Sequence, residues 1–316
     1  MSTVVGIDLG GTKVAAALLS AEGGDANVAD SVVHPTVLSS TDALLDQLVA
    51  IVAEAASGGS LDAVGIGVPS VVEFATGRVV SSVNIPLANV PLRAVLGERL
   101  GVPVFIDNDA TVAALAEAHD EALLPAAHNL VMLTIGTGVG GGIVLNGRIF
   151  RGTGGAAEFG HTLIGMPLDD ATDLPVALET FPQLGSLEHW ASGHALDRLA
   201  VRVLGEGAHG IDLVSAAQAG DAAAGAAIRR WAHAIGIGIA NAVNTFDPDE
   251  VVIGGGAAAA GDLLLGPAVE FAQGYIITGL RGHASVRFAR FGNRAGVIGA
   301  CLLAVHELEG AAADNG

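Results

Sequence analysis

Two glycine-rich turns, each between two β-like runs, constrain the fold of this chain most strongly. The first, Gly10-Gly11-Thr12-Lys13, joins the runs at residues 4–9 and 14–19. The second, Gly136-Thr137-Gly138, lies between the runs at residues 129–135 and 141–145. Glycine lets backbone N–H groups approach an anion closely, and threonine adds a hydroxyl donor, so both turns are typical of phosphate binding. A strand on each side of a turn predicts a hairpin tip.

The spacing of these turns excludes two common nucleotide-binding motifs. Neither turn has the GxGxxG pattern that opens a helix in dinucleotide folds, nor the GxxxxGK[ST] pattern of a P-loop. One phosphate-type turn in each half of the chain predicts instead a single nucleotide gripped from both sides of a cleft.

Composition narrows the class of protein further. The 316 residues are 51% hydrophobic, which predicts two globular domains of ordinary size. No apolar run reaches the ~18 residues that span a bilayer, and no signal peptide is evident, so we expect a cytoplasmic protein without a membrane segment. Nucleic acid and polyphosphate are polyanions that bind to a basic surface track. A net charge of −19 argues against such a track and therefore against both as partners. The single cysteine, Cys301, lies in an apolar run and is expected to be buried.

Helical and β-like patterns alternate along the chain, as in an α/β fold. In the first half we predict a helix from Ser40-Thr41-Asp42 to Ala56 and an alanine-rich helix over residues 108–119. We also predict a third β-like run over residues 27–33 and two further strands over residues 63–68 and 102–106. In the second half we predict strands (129–135, 141–145, 251–253), a short and a long helix (within 217–246), a last helix (296–308) and a loose tail (310–316).

Carboxylates at strand ends are the candidate chemical groups. Asp109 follows a buried strand at the edge where open α/β folds bind ligands, and a carboxylate there could accept the proton of an alcohol during phosphoryl transfer. The alternative is that Asn108 or Asp109 merely caps the next helix. Asp8 interrupts an apolar strand and is a candidate for placing a metal or its bound water. Lys13, the only lysine, either meets a phosphate or reflects a composition poor in lysine.

Taken together and in this order, the motifs resemble those of the ROK family of bacterial sugar kinases and repressors, especially its glucokinases. The resemblance covers nearly the whole chain. The two phosphate motifs resemble Ile7-Asp8-Leu9-Gly10-Gly11-Thr12-Lys13 and Thr134-Ile135-Gly136-Thr137-Gly138-Val139-Gly140-Gly141-Gly142, and the catalytic motif resembles Asp107-Asn108-Asp109-Ala110. The two sugar-site segments are similar to Glu158-Phe159-Gly160-His161 and Glu188-His189-Trp190-Ala191-Ser192-Gly193. The adenosine-side turn is similar to Ile253-Gly254-Gly255-Gly256.

The resemblance implies an actin-like (ribonuclease H-like) α/β fold with two lobes and a central cleft that closes on ATP, Mg²⁺ and a sugar. It implies a small lobe over residues 1–116 joined by a C-terminal helix at 299–316, a large lobe over 117–298, and a homodimer or higher homo-oligomer. Asp109 would be the base acting on the sugar 6-hydroxyl. The residues implied to bind sugar hydroxyls are Asn84, Asn108, Asp109, Glu158, His161 and Glu188. Those implied to bind the nucleotide or its metal are Asp8, Gly10, Gly11, Thr12, Lys13, Thr137, Gly138, Gly255 and Gly256.

Three departures from the family pattern qualify these expectations. The three cysteines of the family's structural zinc site are replaced by Glu179, Phe181 and Ser186, so we predict no zinc. His161 then loses its metal, and the loop over 165–184 would be held by packing instead. Ser70 replaces the glycine of the family's GxPG turn, which could alter the choice of hexose. No helix-turn-helix segment precedes the first motif, which disfavours the repressor branch.

The sequence therefore favours an ATP-dependent hexose kinase that converts glucose to glucose 6-phosphate. Two alternatives remain at this point. One is a kinase for another hexose or an N-acetylhexosamine: fructose, mannose, allose, N-acetylglucosamine or N-acetylmannosamine. The other is a non-catalytic sugar sensor, against which the presence of Asp109 and both phosphate turns counts, since a pure binder needs neither a base nor a nucleotide grip.

Overall fold

The computed structural model describes residues 2–22, 25–82, 84–165 and 182–314. The chain forms two compact units. Unit 1 consists of Met1–His128, Gly142–Ala156 and Arg290–Gly316, and unit 2 of Asn129–Gly141 and Ala157–Ala289. The functional lobes at 1–116, 117–298 and 299–316 stay a prediction.

The described residues form strands and helices in alternation, numbered here in chain order. The strands are β1 (Val4–Leu9), β2 (Lys13–Glu22), β3 (Asp25–Val28), β4 (Val32–Pro35), β5 (Ala63–Val68), β6 (Val71–Glu73), β7 (Arg78–Ser81), β8 (Val104–Asn108), β9 (Leu130–Ile135), β10 (Val139–Leu145), β11 (Arg148–Ile149), β12 (Glu250–Gly254) and β13 (Ser285–Phe288). The α-helices are α1 (Thr41–Ala56), α2 (Leu92–Leu100), α3 (Asp109–Glu117), α4 (Leu187–Ala191), α5 (Gly193–Leu204), α6 (Gly210–Gln218), α7 (Ala222–Phe246), α8 (Asp262–Tyr275) and α9 (Ala295–Asp314).

The sheet of unit 1 has the order β3-β2-β1-β5-β8, with β4 also paired to β2. Strands β1 and β2 are antiparallel with Leu9 opposite Val14, which confirms the hairpin at the first glycine turn. Strands β1, β5 and β8 are parallel, so their carboxyl ends meet at one edge of the sheet. In their register Asp8 is paired with Gly67 and Gly67 with Asp107. The sheet therefore brings two polar strand ends, far apart in sequence, to the same edge.

A second sheet repeats this arrangement in the order β11-β10-β9-β12-β13. Strand β12 is parallel to both β9 and β13, and β10 carries the chain from unit 2 into unit 1. If β4, which lies off the main path, is left out, the strands of both sheets follow the same order, counted from the first strand of each: third, second, first, fourth, fifth. This duplicated mixed sheet agrees with the α/β fold expected from the sequence.

Local sequence signals placed some elements correctly and others not. Helix α1 begins and ends as predicted, because Ser40 caps it by accepting a hydrogen bond from the Ala43 N–H. The single β-like run predicted over 27–33 is wrong, since the chain there forms two separate strands, β3 and β4, that both pair with β2. The loose tail predicted from Gly310 is also wrong, because α9 continues to Asp314. The three alanines after Gly310 are strong helix formers and offset the cost of one glycine.

Helix α9 packs on the sheet of unit 1 through very close backbone approaches. A Cβ atom at Gly65 in β5 would lie 1.8 Å from the Ala300 carbonyl oxygen, and one at Gly6 in β1 would lie 2.4 Å from the Val297 carbonyl oxygen. Cys301 on the same face is fully buried, as predicted, and burial raises the pKa of its thiol to about 12. Glycines in two strands therefore let the helix lie directly on the sheet.

Two histidines of unit 1, one after α3 and one on α9, lie beside each other. The rings of His119 and His306 lie 5.4 Å apart between centroids, and His119 Nδ1 lies 2.8 Å from the Leu115 carbonyl oxygen. Burial lowers the pKa of both imidazoles. For His119 the nearby Asp120 opposes this shift. For His306 the carboxylates of Glu309 and Glu307 oppose it, whereas Arg148 lowers the pKa of His306 further.

We expect this pair to reduce the free energy of unfolding at low pH. Because the pKa of each ring is lower in the folded than in the unfolded protein, the folded state favours the neutral imidazole. The resulting contribution to the free energy of unfolding is complete above the unfolded pKa of about 6.5 and is lost as pH falls. The Tm should drop by about 2 °C or more between pH 7.5 and about pH 5.5. His306→Gln should reduce this drop, whereas His194→Gln, at an exposed position, should leave it unchanged. An equal drop in both variants would contradict the assignment.

In the described part of the chain, no helix is both long enough and apolar enough to cross a membrane.

Candidate functional site

The first glycine turn of unit 1 is held by its own backbone and by one threonine. The Gly10 N–H donates to the Lys13 carbonyl at 2.9 Å. Thr36 donates from its hydroxyl to the Gly10 carbonyl at 2.7 Å and from its N–H to the Thr12 carbonyl at 3.0 Å. The Thr12 and Lys13 side chains are exposed. The turn therefore has fixed carbonyls and an exposed hydroxyl and ammonium, which suits an anionic ligand.

Asp8 lies near the start of helix α9. A Cβ atom at Gly296 would lie 2.5 Å from the Asp8 carboxyl carbon, so only glycine at this position leaves room for the carboxylate. Burial raises the pKa of Asp8, and the charge of Lys13 opposes that shift. The first turn of a helix favours negative charge, which also helps to keep Asp8 ionised.

Asn108 and Asp109 mark the change from strand β8 to helix α3. Asn108 is the cap: its side-chain oxygen accepts from the Ala110 N–H at 3.0 Å and the Thr111 N–H at 3.2 Å. The capping alternative raised by the sequence thus holds for Asn108. Asp109 is the first residue of α3, half-buried, with one carboxylate oxygen accepting from the Ala110 N–H at 2.8 Å. The local fold therefore fixes Asp109 at a helix N-terminus, where a carboxylate is stabilised in its charged form.

Asn84 and Ser70 border these groups in unit 1. Asn84 is exposed and lies beside the first glycine turn, since a Cβ atom at Gly11 would be 3.1 Å from the Asn84 Cβ. The Asn108 amide donates to the Ser70 carbonyl at 3.4 Å. Ser70 is only 7% exposed, and its buried hydroxyl finds no hydrogen-bond partner within the described ranges. The serine that replaces the family's glycine therefore contacts the segment that carries Asp109.

The second glycine turn, in unit 2, is braced by two helices. The Gly136 N–H donates to the Gly138 carbonyl at 3.0 Å, and the Gly193 N–H at the start of α5 donates to the Gly136 carbonyl at 2.7 Å. From α4, Glu188 accepts a hydrogen bond from the Val139 N–H at 2.8 Å. Thr137 remains exposed. Glu188 therefore contacts the phosphate-type turn itself, a placement that the sequence did not indicate.

Glu158 and His161 belong to the segment of unit 2 that packs on Val139. A Cβ atom at Gly160 would be 2.2 Å from the Val139 carbonyl oxygen, so this segment packs directly on the start of β10. The exposed side chains of Glu158 and His161 face each other, with Oε2 and Nε2 3.8 Å apart. The backbone bond from the Leu187 N–H to the Thr162 carbonyl, 2.8 Å long, ties the same segment to α4. Unit 2 thus brings together three of the residues implied to bind sugar.

Ser186 occupies the last of the three positions where the family has zinc-binding cysteines. It is fully buried and caps helix α4, accepting a hydrogen bond from the His189 N–H at 3.2 Å. This cap starts the helix at Leu187 and so places Glu188 in its first turn. Glu179 and Phe181 lie outside the described residues, as does most of the 165–184 loop. Absence of zinc stays a prediction.

The adenosine-side turn follows strand β12 in unit 2. Gly255 has a φ of +80°, a conformation that favours glycine, and a Cβ atom there would lie 2.5 Å from the Ile135 carbonyl oxygen. Gly256 begins a short 3₁₀ turn and has open space around its Cα. Both are exposed, so the backbone at this point is open to a ligand.

Sequence reasoning missed one charged group beside the Asp109 segment. Arg151, from the segment after β11, donates from Nε to Asp107 Oδ2 at 2.6 Å and from Nη2 to Glu307 Oε1 at 2.9 Å. No motif marks Arg151, because its partners lie 44 and 156 positions away in the chain.

The chain belongs to the ROK family, whose sequence model matches residues 4–307. It is 35% identical to a glucokinase of Halalkalibacterium halodurans over 93% of this chain and 92% of that protein. It is 36% identical to an N-acetyl-D-glucosamine kinase of Shigella flexneri over 79% of this chain and 83% of that protein. A ROK family glucokinase of Streptomyces griseus, solved in complex with glucose and AMPPNP, matches with a TM-score of 0.74 and 32% identity over 96% of this chain and 99% of that one.

These likenesses bear out the family resemblance and the actin-like α/β fold expected from the motifs. They leave the individual site residues as predictions, which the geometry above now makes specific.

Proposed function

We propose that this protein is an ATP-dependent hexose kinase that transfers the γ-phosphoryl group of ATP to the 6-hydroxyl of a sugar, with glucose as the leading substrate. The observation that carries the proposal is the placement of Asp109, a carboxylate fixed at the N-terminus of α3 where parallel strand β8 ends. Its support comes from the ROK family and from glucokinase relatives that match nearly the whole chain.

Asp109 is the proposed general base. Its carboxylate accepts the proton of the 6-hydroxyl as the oxygen of that hydroxyl bonds to the γ-phosphorus, and the bond from the γ-phosphorus to the β–γ bridging oxygen breaks to release ADP. Phosphoryl transfer needs positioning more than covalent help, so one oriented carboxylate is sufficient. The backbone bond from the Ala110 N–H supplies that orientation.

The polar groups of unit 2 are proposed to bind the sugar ring. Glu158, His161 and Glu188 offer carboxylate acceptors and an imidazole that donates or accepts, which matches hydroxyls that do both. Unit 1 is proposed to contribute Asn84 and the side-chain amide of Asn108. One hydrogen of that amide donates to the Ser70 carbonyl, and its oxygen is already used by the α3 cap. A site of this kind rejects sugar epimers that leave one of its polar groups unpaired.

The two glycine turns are proposed to hold the phosphates of ATP. Gly10, Gly11, Thr12 and Lys13 act in unit 1, Thr137 and Gly138 in unit 2, and Gly255 and Gly256 approach the nucleoside. The described residues contain no cluster of three or more His, Cys, Asp or Glu side chains suited to a metal. Mg²⁺ commonly binds through one or two carboxylates together with substrate phosphates and waters. Asp8 is therefore proposed as a carboxylate for a Mg²⁺ that arrives with ATP and neutralises part of the charge of its phosphates.

A sugar-dependent ADP-release assay with MgATP tests the proposal. The panel is glucose, mannose, fructose, allose, N-acetylglucosamine and N-acetylmannosamine, with 6-deoxyglucose as the control that lacks the acceptor hydroxyl. We expect turnover that needs the sugar and disappears with 6-deoxyglucose. Sugar binding without ADP release from any member of the panel would contradict the kinase and favour the sensor.

An N-acetylhexosamine kinase is the second candidate, because one relative at 36% identity is an N-acetyl-D-glucosamine kinase. The side chains of Ser70, Asn84 and Glu158 are proposed to decide between the two. In the same assay this candidate requires a higher kcat/KM for an N-acetylated sugar than for glucose, and the reverse ranking rejects it.

Glycine-to-alanine changes within the second turn test the proposed role of Glu188. A Cβ atom at Gly138 would lie 2.5 Å from Glu188 Oε2, whereas one at Gly136 would meet nothing within 4 Å. Gly138→Ala should displace Glu188 and weaken glucose binding by about tenfold or more, the scale of one charged hydrogen bond. Gly136→Ala is the matched control and should bind glucose normally. Calorimetry without nucleotide is the measurement, and equal affinities in the two variants would remove Glu188 from the sugar site.

The remaining expectations from the sequence are proposed as well; only the oligomeric state among them follows from the family. They are a cytoplasmic location, a homodimer or higher homo-oligomer, ATP in preference to polyphosphate as donor, and the lack of structural zinc.

A further inference from the structure

Arg151 is the centre of a largely buried charged cluster in unit 1 that the proposed chemistry does not use. We define the Arg151 cluster as Arg151, Asp107, Glu307 and Phe74. The guanidinium bonds Asp107 at 2.6 Å and Glu307 at 2.9 Å, and its carbon lies 3.5 Å from the centroid of the Phe74 ring. The side chains of Arg151 and Asp107 are only 21% and 8% exposed. Four separate chain segments therefore meet at this one cation.

Asp107 connects the cluster to the Asp109 segment. It is in strand β8, directly before Asn108, and its second carboxylate oxygen accepts from the Asn108 N–H at 2.9 Å. Burial raises the pKa of Asp107, and Arg151 is the cation that opposes this shift. A buried carboxylate that loses its partner is costly, because it must either take a proton or draw in water.

The contacts of the cluster suit a guanidinium better than an ammonium. Two carboxylates and an aromatic face surround it, and a planar fork of donors can bond both carboxylates while it stacks on the ring. A lysine ammonium is a point charge and can neutralise Asp107 without making all of these contacts.

We propose that Arg151 is a positioning residue for phosphoryl transfer: by holding Asp107 it fixes the end of β8 in the geometry that presents Asn108 and Asp109 to the sugar. This inference rests on the proposed function, because it assigns Arg151 to the same site. Arg151 itself touches no reacting atom and acts through Asp107.

Four variants test the assignment. R151M removes the charge and keeps an apolar stem against Phe74. R151K keeps the charge without the fork. The double variant D107N/R151M removes both charges of the pair. E307Q is the control, since it keeps an acceptor for Arg151 and leaves the Asp107 bond intact.

The pH dependence of kcat separates positioning from a general loss of stability. In R151M Asp107 keeps the bond from the Asn108 N–H and the nearby charge of Arg93 but loses its ion-pair partner. Taking up a proton at low pH relieves the buried charge, which at high pH stays without that partner. We therefore expect kcat of R151M to be about tenfold or more below wild type at about pH 8, with the deficit shrinking towards about pH 6. The deficit in D107N/R151M should not change with pH, R151K should lie between wild type and R151M, and E307Q should stay within about twofold of wild type.

Two outcomes overturn the proposal: a kcat for R151M within about twofold of wild type at every pH, or a deficit that is independent of pH and equal in R151M and D107N/R151M. If R151M fails to fold, R151K and D107N/R151M carry the same test, and wild-type kcat in both would overturn it.

Failure of the proposed kinase function can be distinguished from failure of the role assigned to Arg151. If the wild-type protein transfers phosphate to no sugar, the Tm replaces kcat as the readout. The Tm of R151M should then fall relative to wild type as pH rises, and that of D107N/R151M should not. A Tm difference between R151M and wild type that does not change with pH would overturn the link between Arg151 and Asp107.

Discussion

Replacing Asp109 with asparagine is expected to lower kcat for glucose phosphorylation by about 10²-fold or more, the scale of a lost general base. The physical reason is that an amide cannot accept the proton of the 6-hydroxyl. Folding should be unaffected, since the asparagine oxygen can still accept from the Ala110 N–H as the carboxylate does. Steady-state kinetics should show the loss in kcat and little change in KM for glucose. Asp109→Ala should show a similar loss of turnover with sugar binding preserved.

Asp221→Asn is a matched control for this experiment. Asp221 caps helix α7 by accepting from the Ala224 N–H at 2.8 Å, so it is also a carboxylate at a helix N-terminus. Asparagine and aspartate are about equal as caps, and kcat should stay at the wild-type value. A kcat for Asp109→Asn within about twofold of wild type would remove Asp109 from the mechanism.

Gly299→Ala is expected to destabilise unit 1 by about 3 kcal/mol or more, at the upper end of overpacking effects. Gly299 is on the face of α9 that packs on α3, where a Cβ atom would lie 1.8 Å from the Val112 carbonyl oxygen and 2.4 Å from the carbonyl carbon. These are backbone atoms, so relief requires moving one helix away from the other. The Tm should fall by about 6 °C or more.

Gly310 provides the opposite case in the same helix. It lies near the end of α9, and a Cβ atom there would meet nothing within 4 Å. Alanine at such a position gains helix propensity, so Gly310→Ala should stabilise the protein by about 0.5 to 1 kcal/mol. Thermal denaturation of both variants compares the two effects directly. Equal Tm values for the two variants would contradict the conclusion that α9 needs a glycine at position 299 to pack on α3.

Local signals predicted the fold where one residue type determines the conformation. Ser40 could be recognised as a helix cap, and glycine between two apolar runs as a hairpin tip, because each effect acts within a few residues. The extent of α9 could not be predicted this way. A glycine followed by alanines is ambiguous locally, and the helix continues past Gly310 although its local sequence resembles a tail.

Motif reasoning found the groups that are contiguous in sequence and missed those that the fold assembles. Asn108 and Asp109 could be identified beside a predicted strand, although only the structure shows that Asn108 is the cap. The contact between Glu188 and the Val139 N–H joins positions 49 apart, and the Arg151 cluster joins four separate segments of unit 1. No spacing rule relates such residues, since parallel strands and helix packing bring them together.

The most direct test of the proposed reaction is ³¹P NMR of the products formed from glucose and MgATP. We expect one new phosphomonoester signal, coupled to the two protons on C6, that grows in equal amount with ADP. This result would establish transfer to the 6-hydroxyl in a single observation. Release of inorganic phosphate, or a phosphomonoester coupled to a single proton on a ring carbon, would contradict it.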